Sequence, residues 1–272
     1  MKKTILITGS TDGIGKLAAI KLAKDGHTVY LHGRNADKLY KVIQEVKSAT
    51  NNENVNGFVA DFSDLKEVTQ MANEILKQLP TLDVLVNNAG VYKAANPITK
   101  DGLDIRFVVN YLAPYVMTNT LLSLLKKSAV PRVINLSSAA QSTVLYDVFR
   151  GEKQVPDQAA YGQSKLALLM WSFYLSKQEP SITTTALNPG SLLNTNMVRE
   201  AFGKFWSSAD KGADIIYDIA LLDAYEGVTG KYYDNDEGMF NKAHADAYNE
   251  SKIEELINET NLILKRNLTY GV

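Results

Sequence analysis

The chain has 272 residues, 45% hydrophobic and 22% charged, with a formal net charge of -1 and no cysteine. This balance excludes intrinsic disorder, a disulfide framework, a thiolate metal site and a thiol nucleophile, and it gives no basic field for nucleic acid or anionic lipid. The length suits one α/β unit with a sizeable core, so a single domain over 1–272 acting on a small molecule is expected.

The first predicted strand runs from Thr4 to Thr8. Met1, Lys2 and Lys3 before it imitate the start of a signal peptide, but Gly9, Ser10, Thr11 and Asp12 end the apolar run too early for a leader. No later stretch reaches the roughly 18 to 20 uninterrupted apolar residues of a membrane span, so a cytoplasmic chain without membrane contact is expected. Thr8-Gly9-Ser10-Thr11-Asp12-Gly13-Ile14-Gly15 then leads into a helix predicted over Ile14 to Asp25. Its glycines permit a tight turn and let backbone N–H groups approach a pyrophosphate, which the helix dipole also favours. A turn with three glycines is often only a turn; the strand before it and the helix after it give this one its dinucleotide reading.

The second strand, Thr28 to His32, ends at His32-Gly33-Arg34, where dinucleotide folds hold an acid for ribose hydroxyls or a base for an additional phosphate. No acid is present. Arg34 can grip a phosphate through two parallel charge-assisted hydrogen bonds, which favours NADP(H), with NAD(H) as the alternative. The competing reading is a solvated arginine opening a loop. Asp12 argues against a nearby 2′-phosphate unless its carboxylate points away.

Helices over Asp37 to Ser48 and Leu65 to Gln78 flank a strand over Val55 to Ala60. Asp61 after it reads as a loop acid or helix cap, with Ser63 or Asp64 the better cap. The strand Val84 to Asn87 runs into Asn88-Ala89-Gly90, where Asn88 can be a turn former. Pro114, inside a helix predicted over Leu103 to Leu125, implies a kink or break. Strands over Val133 to Ser137, Thr183 to Asn188 and Lys231 to Tyr233 complete the set, with a helix over Ala159 to Gln178 between the first two. Ala245 to Leu264 is a packing helix with Ile253, Leu256, Ile257 and Leu264 on one face. This alternation predicts an α/β fold: a Rossmann-type, doubly wound three-layer sandwich with a mostly parallel seven-stranded sheet.

Tyr161 and Lys165 lie one helical turn apart on one face. An ammonium beside a phenol favours phenolate, which predicts a tyrosine pKa drawn down from about 10 toward values useful in proton transfer to or from an alcohol. Tyr248 and Lys252 repeat the spacing, so spacing alone does not decide. That second pair lies on the carboxyl-terminal helix after the last strand and reads as solvated surface. His27, His32 and His244 are dispersed, so no metal site is expected.

With the Thr8–Gly15 string, Asn87 to Gly90, Ser138, Tyr161 with Lys165, and Asn188-Pro189-Gly190 all in order, the chain resembles the short-chain dehydrogenase/reductase family over nearly its whole length. Tyr161 to Ala167 and Gly230-Lys231-Tyr232-Tyr233 are similar to its retinol dehydrogenase and carbonyl reductase branch. The resemblance implies that Ser138 hydrogen-bonds the substrate oxygen, that Tyr161 exchanges the proton, and that Lys165 depresses the phenol pKa and holds the nicotinamide ribose. It makes Asn110 the asparagine that steadies a water relay toward the lysine and Ser137 a packing partner. It places Gly9, Ser10, Thr11, Asp12, Gly13, Ile14 and Gly15 at the pyrophosphate, and Asp61 and Phe62 at the adenine. Asn88, Ala89 and Gly90 fall behind the cofactor, Pro189 and Gly190 under the nicotinamide. Thr195 is placed at the carboxamide, one residue farther from the Pro-Gly pair than the family pattern has it. A homodimer or homotetramer is a reasonable assembly for such a chain.

The implied reaction is hydride transfer between nicotinamide and a carbonyl or alcohol carbon. Two segments bear on the substrate. Residues 141–158, with Tyr146, Phe149, Arg150 and Pro156, form either part of the entrance or an ordinary surface excursion. Residues 191–208, with Met197, Phe202, Phe205 and Trp206, form either a lid or the core of a small helix pair. If both line the site, a lipophilic aldehyde or ketone is the expected substrate class. The alternative is a catalytically silent dinucleotide-sensing regulator on the same fold, which need not keep Asn110, Ser138, Tyr161 and Lys165 together. An epimerase or dehydratase would usually add a larger carboxyl-terminal domain.

Overall fold

The computed structural model describes residues 2–269. Its elements follow the predicted order: β1 (Thr4–Ile7), α1 (Gly13–Lys24), β2 (Thr28–Gly33), α2 (Ala36–Thr50), β3 (Val55–Val59), α3 (Leu65–Gln78) and β4 (Val84–Asn87). Then come α4 (Ile105–Phe107), a π-helical stretch Val108–Leu112, α5 (Ala113–Leu125), β5 (Arg132–Leu136), α6 (Tyr146–Phe149), α7 (Asp157–Gln178) and β6 (Thr183–Asn188). The chain closes with α8 (Asn196–Phe202), α9 (Ala209–Leu221), β7 (Lys231–Asp234), β8 (Met239–Asn241) and α10 (Glu250–Thr269).

The strands form one sheet in the order β3-β2-β1-β4-β5-β6-β7-β8, parallel throughout except for the β7–β8 pair. The sheet has eight strands where seven were expected. Met239–Asn241 escaped because it is three residues long and mostly exposed, too short to carry a strand periodicity of its own. It forms because Asp234 to Met239 turns tightly enough to pair Tyr233 with Phe240, whose rings meet edge-to-face at 5.1 Å.

β1 and β4 are neighbours, yet the chain winds outward from them in opposite directions. A crevice opens at the carboxyl ends of strands at such a switch point, where ligands of open α/β sheets bind. The glycine loop after β1 and the Asn88 turn after β4 both fall there. Fully buried strands such as β4 and β5 are covered on both faces: α1, α2 and α9 on one side, α3, α5, α7 and α10 on the other.

Pro114 neither breaks nor kinks the run as a lone proline would. It sits at the start of α5, just after the π-helical stretch. Proline has no N–H to give the Asn110 carbonyl four residues earlier, and the wider π turn accommodates that missing bond. Although it is not an uninterrupted apolar run, Ile105–Leu125 is by length and composition apolar enough to cross a membrane, with a mean hydropathy of 1.2 over its window. Since 67% of that window is buried within the protein, largely against α3 and α7, core packing accounts for its apolarity. Asp64, rather than Ser63, caps α3 by accepting from the Lys66 N–H.

Candidate active site

The glycine loop is built by exclusion. Gly9 has φ +62°, and a Cβ there would stand 2.7 Å from the Ala89 Cα. A Cβ on Gly15 would lie 2.4 Å from the Asn88 side-chain nitrogen. That nitrogen donates to the Thr8 and Gly9 carbonyls at 2.8 and 2.9 Å, so Asn88 staples the loop from behind. The Asn88 and Ala89 N–H groups both donate to Thr8 Oγ1.

His32, passed over in the sequence, fixes the other edge. The Gly9 N–H donates to His32 Nδ1 at 3.0 Å, the Ser10 N–H donates to the His32 carbonyl at 2.9 Å, and Nε2 meets the Ala60 carbonyl at 3.0 Å. Nδ1 must therefore accept and Nε2 carry the proton, a neutral tautomer that burial enforces by pushing the pKa down to about 4. Ser10 is fully buried, and its Oγ donates to the Ile7 carbonyl and accepts from the His32 N–H. Gly9 and Ser10 consequently have no free N–H for a pyrophosphate, a correction to the expectation that the whole string would serve it. The start of α1, from Gly13 onward, is the part left to face an anion.

Asp12 caps α1 through the Gly13 N–H and pairs with Lys38 at 3.2 Å and Asn196 at 2.7 Å. Partial burial opposes its charge, but those three donors hold the carboxyl below its usual range. The anion that argued against a neighbouring 2′-phosphate is thus offset by its own partners. Arg34 is exposed and lines a cavity of about 640 Å³ with Asp61, Ser63 and Lys93. Asp61 is held by Ser63, whose N–H and hydroxyl both donate to it. The Phe62 ring turns inward and stacks on His32 at 4.0 Å, so its side chain belongs to the core rather than to an adenine site.

Tyr161 and Lys165 stand in the first turns of α7, beside Ser138 at the end of β5. The Lys165 Nζ lies 5.6 Å from the Tyr161 ring centroid and donates to the Leu136 carbonyl at 2.7 Å. Ser137 donates to the Lys165 carbonyl, the packing role expected of it. Burial pushes the Tyr161 phenol up, against the expected fall, while its hydrogen bond with Ser138 pulls it back. Lys165 is only 4% exposed and has no carboxylate beside it, so burial pushes its ammonium down to about 7. Burial disfavours the charged form of each group, so it raises the phenol and lowers the ammonium.

The Asn110 side chain is fully engaged: its oxygen accepts from the Val91 N–H at 2.8 Å, and its nitrogen donates to the Val91 carbonyl and Ser164 Oγ. A Cβ on Gly90 would reach 3.4 Å from Asn110 Oδ1 and 3.5 Å from Lys165 Nζ, so the glycine keeps the space between them open. Pro189 and Gly190 are anchored from below, the Pro189 carbonyl by Asn235 and the Gly190 N–H by Asn188. Thr195 caps α8 with its hydroxyl, and its methyl would touch a Cβ on Gly13 at 3.4 Å. A cradle of glycines, a helix start at the crevice and a basic group lining the adjoining cavity fit a nicotinamide dinucleotide. Among the described residues no group of histidines and carboxylates could hold a metal ion.

The second Tyr-x-x-x-Lys pair is separated from this site. Tyr248 ends a 3-10 turn (Ala245–Tyr248) and Lys252 lies in α10, so they do not share one helix. Lys252 pairs with Asp246 at 2.6 Å, and the Tyr248 hydroxyl accepts from the Ala243 N–H at the surface.

Part of residues 141–158 packs into the fold, while most of 152–158 is exposed. Phe149 is fully buried against Phe107 and Tyr111, and Tyr146 donates to the Lys252 carbonyl. Residues 191–208 do the reverse: no residue of α8 is buried, and Met197, Phe202, Phe205 and Trp206 are exposed, Trp206 at 71%. This is no helix-pair core. Tyr92, unremarked in the sequence, joins it to the site, its ring 4.9 Å from Tyr161 and 5.1 Å from Phe202.

Comparison with known proteins shows the family. Residues 3–204 match the family model described as short chain dehydrogenase. Retinol dehydrogenase 13 of Mus musculus is 35% identical over 251 residues, covering 85% of this chain and 75% of its own length. Polyprenol dehydrogenase of Homo sapiens is 31% identical over 257 residues, covering 86% and 77%. A solved structure from Mycobacterium paratuberculosis aligns with a TM-score of 0.78 over 97% of this chain and 93% of that one, a likeness of fold at 24% identity. A short chain dehydrogenase from Shigella flexneri, complexed with NADP, aligns with a TM-score of 0.69 at 27% identity over 86% and 97%.

Proposed function

This chain belongs to the short-chain dehydrogenase family, an NAD(P)-dependent dehydrogenase or reductase acting on CH–OH or C=O groups, and on that premise we propose that it is an NADP(H)-dependent reductase of lipophilic aldehydes or ketones with Tyr161 as general acid/base. The observation that carries the reading is the convergence of Tyr161, Ser138 and Lys165 at the open end of β5, beside a cradle of dinucleotide shape.

A bound nicotinamide supplies the hydride; the protein supplies orientation and the proton. A phenol whose pKa is raised by burial keeps its proton at neutral pH, which suits donation to the oxygen of a carbonyl being reduced. Ser138 holds that oxygen, and the Lys165 ammonium stabilises the phenolate left on Tyr161. The lipophilic class is supported by the apolar approach through Tyr92, Phe202, Phe205 and Trp206, and by relatives named for retinol and polyprenol. The decisive assay follows NADPH and NADH oxidation against a panel of aldehydes and ketones. Dinucleotide binding without turnover of any carbonyl or alcohol would replace this reading with that of a silent sensor.

Lys165 sets the expected pH dependence. It is protonated below about 7 and neutral above, so kcat/KM for carbonyl reduction is expected to fall as pH rises through about 7. In Lys165→Arg, whose guanidinium does not titrate in this range, that limb should vanish whatever the remaining rate. A limb at the same pH in the arginine variant would show that another group titrates.

Arg34→Ala is expected to raise KM for NADPH by about 10- to 150-fold, the range of one charge-assisted hydrogen bond, and to leave KM for NADH unchanged. Equal effects on both cofactors, measured by steady-state kinetics, would remove the phosphate-clamp role.

A further inference from the structure

Ser138 is held at two points that the reaction does not explain. Its hydroxyl oxygen accepts from the Ala140 N–H at 3.1 Å. Its backbone carbonyl accepts from Gln141 Nε2 at 2.9 Å and from the Tyr232 hydroxyl at 3.4 Å. Gln141 is fixed in turn, because its Oε1 accepts from the His244 N–H at 2.8 Å. The amide can adopt only one orientation here: the His244 N–H can only donate and the Ser138 carbonyl can only accept, so oxygen faces the first and nitrogen the second.

We propose that Gln141 is the positioning residue for Ser138, and that the chain leaving β8 reaches the reacting centre through it. The argument rests on the reading of Ser138 as the group that holds the substrate oxygen. The two carbonyl donors fix the plane of the peptide after Ser138, and the Ala140 N–H fixes the side-chain rotamer. Together they leave the hydroxyl hydrogen facing Tyr161, the side from which a substrate oxygen would be held. Gln141 does this from a half-buried position on a cavity of about 240 Å³ lined also by Ala139, Tyr232, Asp234, Lys242 and His244. Little packing therefore depends on it, and its contribution is directional. β8 gains a purpose in this arrangement: the β7–β8 hairpin carries Tyr232 on one strand and leads into His244 from the other.

The test uses Gln141→Leu, Gln141→Glu and Ser138→Ala in the full chain, with NADPH affinity by fluorescence quenching and Tm as controls. Gln141→Leu should lower kcat about five- to tenfold, the equivalent of one hydrogen bond, with NADPH affinity and Tm unchanged. In the Ser138→Ala background the same change should cost nothing further, since the group it positions is gone. Gln141→Glu adds a readout that mere structure would not move. The ionised carboxylate opposes the Ser138 carbonyl, while the protonated acid donates to it. The kcat of Gln141→Glu relative to wild type should therefore rise as pH falls from about 6 toward about 4, through the ordinary glutamic acid range. An unchanged kcat in Gln141→Leu, an equal loss in both backgrounds, or a pH-independent ratio would each overturn the proposal. A Ser138→Ala variant with full turnover would instead overturn the underlying reading of the serine.

Discussion

Replacing Tyr161 by Phe is expected to lower kcat for carbonyl reduction by about 10²- to 10⁴-fold, the range that a positioned proton donor supplies. The ring would stay, and with it the contact to Tyr92 at 4.9 Å and the cation face 5.6 Å from Lys165. Dinucleotide binding and Tm should therefore hold, which separates loss of the proton from loss of the site. Tyr248→Phe is the matched control. Its hydroxyl only accepts a surface N–H, so turnover should be unchanged. Single-turnover measurement of NADPH oxidation with each variant checks both. Retained turnover in Tyr161→Phe would remove the phenol from the chemistry.

The second large effect is expected on stability. The Arg106 guanidinium, 2% exposed, donates through Nε to Asp104 at 2.8 Å and through Nη2 to its second oxygen, and it pairs with Asp157. It also reaches the Tyr92 carbonyl. Burial opposes its charge, yet the two aspartates outweigh that and hold its pKa above the usual value. Asp157 is the first residue of α7, so this cluster ties the amino end of α7 to α4 and to the loop after β4 that carries Tyr92. Arg106→Met would strand the buried Asp104 without a counter-charge, at a cost of ~3–5 kcal/mol. For a chain of this size that lowers Tm by on the order of 10 °C. Asp104→Asn in the same background should recover part of the loss by removing the orphaned charge. Differential scanning calorimetry reads both, and a Tm within about 2 °C of wild type in Arg106→Met would show that the cluster contributes little.

Much of the site was legible because its signals are local. Gly9, Gly13 and Gly15 between a strand and a helix, Asn88 after β4, and Tyr161 with Lys165 on one helix face each need only a few consecutive residues to be read. The strand order follows from the same alternation, since right-handed βαβ crossovers leave few other topologies. The family followed from those strings in sequence, and the relatives agree.

What the chain order could not show depends on residues far apart in sequence. Gln141 meets His244 across 103 positions, Arg106 meets Asp157 across 51, and the glycine loop surrenders two N–H groups to His32, more than 20 residues on. The protonation of the central pair belongs to the same class. Charge proximity, visible in the spacing, predicted a depressed phenol pKa; burial, visible only once α7 lies against β5, reversed the sign for Tyr161 and brought Lys165 down to about 7. The sequence by itself determined the layered fold and the family, and it singled out the glycine loop and the Tyr161–Lys165 pair as candidates, because hydrophobic period, turn chemistry and helical spacing are properties of neighbours along the chain. Only the tertiary structure decided which donors remain free, which aromatic rings face the approach and how strongly the reacting groups hold their protons. Those depend on exclusion of water, which many distant segments create together.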